Sequence, residues 1–166
     1  MTAPAYRYAL ALGGNRRTRR GNPTATLRAA LHALADAGIV VDSVSPILPT
    51  PAMGPAGRGF ANAAALVTTP LTPPALLTVL KGIERAFGRR PGRRWGARAL
   101  DLDILLWSGG SWPPRPARAA PGRLQVPHIG LPHRLFVLDP LVRIAPHWTL
   151  PGTRRTIRQY HARARA

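Results

Sequence analysis

Cysteine is absent from the 166 residues, which excludes disulfides and thiolate metal sites. Acid is scarce: six Asp and Glu stand against 24 Lys and Arg. Lysine occurs once, at Lys81, so the other 23 basic residues are arginine. No apolar run reaches membrane-spanning length, and no charged N-terminal stretch leads into a long apolar one. A cytoplasmic chain without a membrane partner is expected. Aromatic residues are few, and no strand concentrates them. That counts against a sheet surface built to stack bases.

The apolar fraction of 45% suits a globular protein, and the length suits one domain over residues 1–166. A formal charge of +18 invites a polyanion as partner. The excess of Arg together with abundant Ala, Pro and Gly is also what a GC-rich coding sequence produces. Nucleotide phosphates therefore compete with a nucleic-acid backbone as the anion.

Two of the rare acids stand one residue apart in Leu100-Asp101-Leu102-Asp103-Ile104-Leu105-Leu106. This apolar stretch reads as a strand, in which i and i+2 share a face about 6.6 Å apart. Asp101 and Asp103 then face one way and Leu100, Leu102 and Ile104 the other. Two carboxylates on a mostly buried strand repel each other and resist desolvation. A divalent cation relieves both problems, and oxygen-only ligation suits Mg²⁺. Arg89, Arg90, Arg93, Arg94 and Arg98 crowd the flank. Carboxylates for a metal beside arginines for phosphate equip a site for phosphoryl transfer. The plainer alternative is that the aspartates only pair with those arginines; the Arg94-Trp95-Gly96 run just upstream tips the balance toward a site.

Along the chain, Tyr6 to Leu12 reads as a first strand and Arg16 to Gly21 as a basic loop. Asn22-Pro23 opens a helix with Leu27, Ala30, Leu31 and Leu34 at helical spacing, stopped by Gly38. Ile39 to Ser45 is a second strand, Pro46 to Gly59 a loop, and Phe60 to Thr69 a third strand. Thr72-Pro73-Pro74 opens a second helix ending at Gly88. Arg89 to Ala97 is a basic loop before the aspartate strand. Ser108 to Gly122 is a Pro- and Gly-rich surface excursion. Leu124 to Val126 reads as a short strand, Leu135 to Ile144 as an apolar stretch interrupted by Pro140, and Thr153 to Ala166 as an Arg-faced helix. The order βαββαβ with C-terminal additions predicts an α+β, ferredoxin-like core: an antiparallel sheet with two helices on one face.

Four blocks, in order, resemble the 6-hydroxymethyl-7,8-dihydropterin pyrophosphokinase family of folate biosynthesis. They are Leu10-Ala11-Leu12-Gly13-Gly14-Asn15; Thr50-Pro51-Ala52-Met53-Gly54 with Phe60-Ala61-Asn62-Ala63-Ala64; Ile83-Glu84 and Gly88-Arg89 with Arg94 through Leu105; and Val126-Pro127-His128 with Arg134, Phe136-Val137-Leu138 and Pro140-Leu141. Together they span most of residues 6 to 151. The resemblance implies transfer of the β,γ-pyrophosphoryl group of ATP to the pterin hydroxymethyl oxygen, releasing AMP. It implies two Mg²⁺ ions on Asp101 and Asp103, catalytic roles for Arg89 and Arg98 beside those aspartates, and ATP contacts from Glu84, Arg94, Trp95, Ile104, His128 and Arg134. The partners expected are the small molecules ATP and 6-hydroxymethyl-7,8-dihydropterin, with no specific nucleic acid, and a monomer is expected.

Phe60 and Asn62, at i and i+2, share a strand face. An aromatic plane and an amide with donor and acceptor suit a flat heterocycle with a pyrimidine edge. Taken alone, Phe60 would be core and Asn62 a loop cap. With the resemblance, Thr50, Pro51, Met53, Phe60, Asn62, Phe136 and Asp101 form the expected pterin pocket, Phe136 closing it from the far side. The chain departs from the family pattern at Ala97 (usually Pro), at Gly14 (usually Ser), at Pro91 and at Ile129. Its loop from Gly88 to Trp95 is shorter and its excursion from Ser108 to Gly122 longer. Two other classes compete: a basic ferredoxin-like RNA-binding domain, and a Mg²⁺-dependent nuclease using the same aspartates.

Overall fold

The structure, a computed structural model, describes residues 3–50, 59–89, 98–114 and 120–166. Five strands form one antiparallel sheet: β1 (Tyr6–Gly14), β2 (Val40–Val44), β3 (Leu48–Thr50), β4 (Phe60–Thr69) and β5 (Asp101–Trp107). The spatial order is β2-β4-β1-β5, with β3 also paired to β4. This is the expected ferredoxin-like arrangement with one addition, β3, inside a stretch the sequence presents as loop. Leu48 and Thr50 extend it beside Asn62 and Phe60. Pro49 fits because an edge strand has no partner awaiting its missing N–H.

Helices α1 (Pro23–Asp36) and α2 (Pro73–Ala86) both begin with Pro in the first turn, where its missing N–H costs nothing. Asn22 caps α1, its side chain accepting from the Ala25 N–H at 2.9 Å. Leu27 and Leu34 of α1 and Leu76, Leu80 and Ile83 of α2 pack on Tyr8, Leu10, Leu12, Leu102 and Ile104 of the sheet.

The other face is covered too. Leu135 to Leu141 forms a short helix, α3, with Pro140 in its last turn, and Ile157–Arg165 forms α4. Thr156 and Gln159 make a reciprocal capping box that starts α4. Val137, Leu138 and Leu141 of α3 and Ile157 of α4 pack on Ala9, Ala64, Leu66, Leu105 and Leu106. A sheet buried on both faces explains why β1 and β4 read as nearly continuous apolar runs. The expected strand at Leu124–Val126 is reduced to a single bridge between Val126 and Trp112, which the sequence placed within the excursion. Residues 115–119 of that excursion lie outside the described residues.

The pairing of β1 with β5 carries an irregularity. Ala9 faces Leu106 and Leu10 faces Ile104, so Leu105 is an extra residue. Leu105 and Leu106 consequently both enter the second core. The Leu105 carbonyl accepts from the His128 N–H at 3.0 Å, tethering the segment after the excursion to β5.

Leu138 anchors α3 in the second core, so removing its side chain should destabilise the fold. Leu138→Ala is expected to cost about 2–5 kcal/mol in urea unfolding. Phe136→Ala, on the same helix but 39% exposed, is expected to cost less than about 1 kcal/mol. Equal losses would mean that Phe136 serves the core.

Candidate active site

The strand register builds the site. Leu48, Asn62, Gly13 and Asp101 lie opposite one another in a row across β3, β4, β1 and β5. The next row on the same face is Ala64, Ala11 and Asp103. Residues opposed across a sheet point to one face, so Asn62, Asp101 and Asp103 stand together over a floor of Gly13, Ala11 and Ala64. Gly13 keeps that floor low. A Cβ there would lie 3.1 Å from Asn62 Oδ1. Asn62 is 8% exposed, and Phe60, two residues earlier, is half-buried on the same face.

The aspartates share a face as the sequence predicts, but their surroundings differ. Asp101 accepts from Arg89 Nη1 at 2.6 Å through Oδ1 and from Arg98 Nη1 at 2.7 Å through Oδ2. Asp103 makes no ion pair among the described residues. Burial, and then the charge of Asp101, raise its carboxyl above the ordinary range, while His128 and Lys81 pull it partly back. Burial alone would lower the Arg89 guanidinium; the charges of Asp101 and Glu84 and their hydrogen bonds outweigh that and leave it raised.

Two of the expected nucleotide contacts, Glu84 and Ile104, have side chains turned into the protein. Glu84 is 0% exposed, and its carboxylate is spent on the protein. Oε1 accepts from the Leu102 N–H at 2.7 Å, and Lys81 and Arg89 donate to the same group. The Ile104 side chain lies in the first core, 2% exposed, so only its backbone is available. That backbone belongs to β5, an outer strand of the sheet. His128 and Arg134 stand on one turn. His128 Nδ1 accepts from the Gly130 N–H at 3.0 Å, and Arg134 folds back over Gly130 at the start of α3. Phe136 stands in the first turn of α3, partly exposed. Pro51, Met53, Arg94 and Trp95 lie outside the described residues, as does the side chain of Thr50.

One residue in the first quoted block was not singled out for the site. Asn15, 5% exposed, accepts from the Arg98 N–H through Oδ1 at 2.7 Å, and its own N–H donates to the Arg98 carbonyl at 3.1 Å. A polar residue closing an apolar strand was the available signal.

A sequence profile of the 7,8-dihydro-6-hydroxymethylpterin-pyrophosphokinase family matches residues 9–146. The chain belongs to this family. It is 39% identical over 152 residues to the 2-amino-4-hydroxy-6-hydroxymethyldihydropteridine pyrophosphokinase of Methylorubrum extorquens, covering 90% of this chain and 88% of that one. It is 40% identical over 152 residues to the Pseudomonas aeruginosa pyrophosphokinase of the same name, covering 89% and 86%. In fold it resembles the crystal structure of wild-type Plasmodium falciparum HPPK-DHPS with pteroate, at TM-score 0.70 and 16% identity. The match covers 98% of this chain and 43% of that longer one. The pyrophosphokinase family assignment leaves the RNA-binding alternative without support. The fold also removes its mechanism, because α3 and α4 cover the sheet face on which bases would stack. No helix among the described residues is long and apolar enough to cross a membrane.

The Asp103 environment makes a pH prediction. A carboxyl raised in the folded chain contributes stability while protonated, and that contribution is lost as pH rises through the folded pKa. Below the unfolded value of about 3.9 there is no difference left to relieve by removing the charge. Metal-free Asp103→Asn is therefore expected to melt above wild type near neutral pH, with the gap closing as pH falls through the carboxylate range. Each 1 kcal/mol of relief corresponds to about 2–4 °C at this chain length. Calorimetry with chelator across that range checks it; a gap independent of pH would place its origin elsewhere.

Proposed function

We propose that this chain transfers the pyrophosphoryl group of ATP to the hydroxymethyl oxygen of 6-hydroxymethyl-7,8-dihydropterin and releases AMP, as a step of folate synthesis. The observation that carries the reading is the row Asn62–Gly13–Asp101. It sets an amide suited to a pyrimidine edge and the first of two carboxylates suited to a reacting polyphosphate on either side of a glycine.

In this reading Asn62 pairs with the heterocycle edge, and Phe60 and Phe136 offer ring surfaces above and below it. Thr50, Pro51 and Met53 remain proposed pocket residues by resemblance, as Arg94 and Trp95 do for the nucleotide. The residues fit Mg²⁺: a like-charge pair of oxygen donors, one of them raised by burial and its neighbour's charge, gains from a divalent cation. Among the described residues no third acidic or histidine ligand joins them, so water and triphosphate oxygens would complete the shells of two ions. When bound, Mg²⁺ supplies Lewis-acid polarisation of the phosphoryl oxygens.

The chain's own groups do the rest. Arg89 and Arg98 are already oriented against Asp101, and each can exchange that carboxylate for a phosphate oxygen as negative charge develops on the oxygens about the β-phosphorus. His128, with Nδ1 accepting from Gly130, carries its proton on Nε2 when neutral and presents a donor. Arg134 adds a guanidinium on the same turn. The Ile104 backbone, on an outer strand, offers a donor and an acceptor to a flat base.

The deciding assay is AMP formation from ATP that requires both hydroxymethyl-dihydropterin and Mg²⁺. Asp101→Asn and Asp103→Asn are each expected to lower turnover on the order of 10²-fold or more while remaining folded. Near wild-type activity in both would remove the metal assignment. Asn62→Ala should leave a buried pterin edge unpaired, costing about 1–3 kcal/mol, or roughly tenfold to a hundredfold in pterin affinity. Binding of a non-hydrolysable ATP analogue should barely change. Calorimetry with each ligand separately decides it, and the opposite pattern would mean that the two pockets are exchanged.

A further inference from the structure

We propose that the corner Gly14-Asn15 at the end of β1 is a positioning element for Arg98, and that Asn15 supports pyrophosphoryl transfer through that arginine without touching substrate. The inference rests on the function proposed above, but its geometry does not.

Asn15 holds Arg98 on both sides of its Cα. Its Oδ1 accepts from the Arg98 N–H at 2.7 Å, and its backbone N–H donates to the Arg98 carbonyl at 3.1 Å. The residue is nearly buried, so these bonds are shielded from competing water. Only a side chain with an acceptor at that reach can make the first bond; Asp can and Ala cannot.

Gly14 sets the spacing. A Cβ there would lie 2.7 Å from the Ala99 carbonyl oxygen, a backbone atom that cannot swing away. Any side chain at 14 therefore pushes back the segment leading into β5. Three residues beyond Arg98 is Asp101, whose Oδ2 accepts from Arg98 Nη1 at 2.7 Å. The corner of β1 thus sets the backbone from which one guanidinium reaches the Asp101 carboxylate. Arg89 reaches the same carboxylate from the end of α2, held by Glu84, with no contribution from Asn15. The two arginines have separate supports, so the effect of Asn15 is specific to Arg98.

Asn15→Ala is expected to lower turnover about tenfold to a hundredfold, the loss typical of one buried hydrogen bond, with smaller changes in KM for either substrate. Gly14→Ala should behave alike, and Asn15→Asp, which keeps the acceptor, should recover most of the loss. In an Arg98→Ala background, Asn15→Ala should change turnover by less than about twofold, because its target is gone. A second readout does not need turnover. Side-chain ¹⁵N NMR should show a resolved Arg98 guanidinium signal, assigned by its loss in Arg98→Ala. That signal should collapse toward solvent-averaged values in Asn15→Ala and Gly14→Ala, while the Arg89 signal persists. Additive losses in the double variant, or an Arg98 signal unchanged by either substitution, would overturn the inference. If Asn15→Ala fails to fold, Gly14→Ala carries the same tests. If wild-type protein releases no AMP, the proposed function falls, and the NMR comparison still decides the positioning.

Discussion

A carboxylate sealed inside the molecule holds the working end of the sheet together. Glu84 has no exposed surface, and an ionised acid in that position is costly unless its oxygens are satisfied. They are: the Leu102 N–H, Lys81 and Arg89 all donate to it. Each partner belongs to a different part of the architecture. Lys81 is one turn back on α2, Arg89 follows the end of that helix, and Leu102 lies between the two aspartates of β5. One buried charge therefore fixes the helix end, the guanidinium and the strand to one another. The strand cannot slide along α2 without orphaning that charge.

The same economy appears in the floor of the site. Gly13, Ala11 and Ala64 have little or no side chain, and they stand where β1 and β4 pass beneath Asn62 and the aspartates. The bulge at Leu105 serves the neighbouring region. It turns two consecutive leucines into the second core and leaves a carbonyl for His128. Core and site thus divide one sheet face between them, α3 covering the apolar part and the strand ends carrying the polar part.

Much of this was legible in the residue pattern because strand periodicity is rigid. Asp101 with Asp103, and Phe60 with Asn62, share a face for no reason beyond period two. The two Pro-initiated helices and their apolar stripes were equally direct. Less legible was anything decided by register. That Asn62 faces Asp101 across Gly13 depends on how three strands align, and no local pattern states the alignment. Glu84 and Ile104 belong to motif blocks, and a block does not state which way a side chain points; both point inward. Helix α3 was obscured by Pro140, which its last turn tolerates. Gly14 read as a mere departure from the family pattern until the approach of the Ala99 carbonyl gave it a steric reason.

Charge explains why the acids are arranged as they are. Of the six acidic residues, Glu84, Asp101 and Asp103 gather at one end of a chain with formal charge +18. Three negative groups so close repel one another, and two of them are met by guanidinium groups. Arginine suits this better than lysine, since a planar fork can serve more than one acceptor and sheds water more readily. The supports of the two arginines are unequal in kind. Arg89 is shared between Asp101 and the sealed Glu84, so it stays anchored when Asp101 takes another partner. Arg98 is anchored through its backbone to Asn15. Under the proposed function, each guanidinium would keep its own support while turning from Asp101 to a phosphate oxygen. The guanidiniums that neutralise Asp101 in this structure would then be the groups that meet the phosphate.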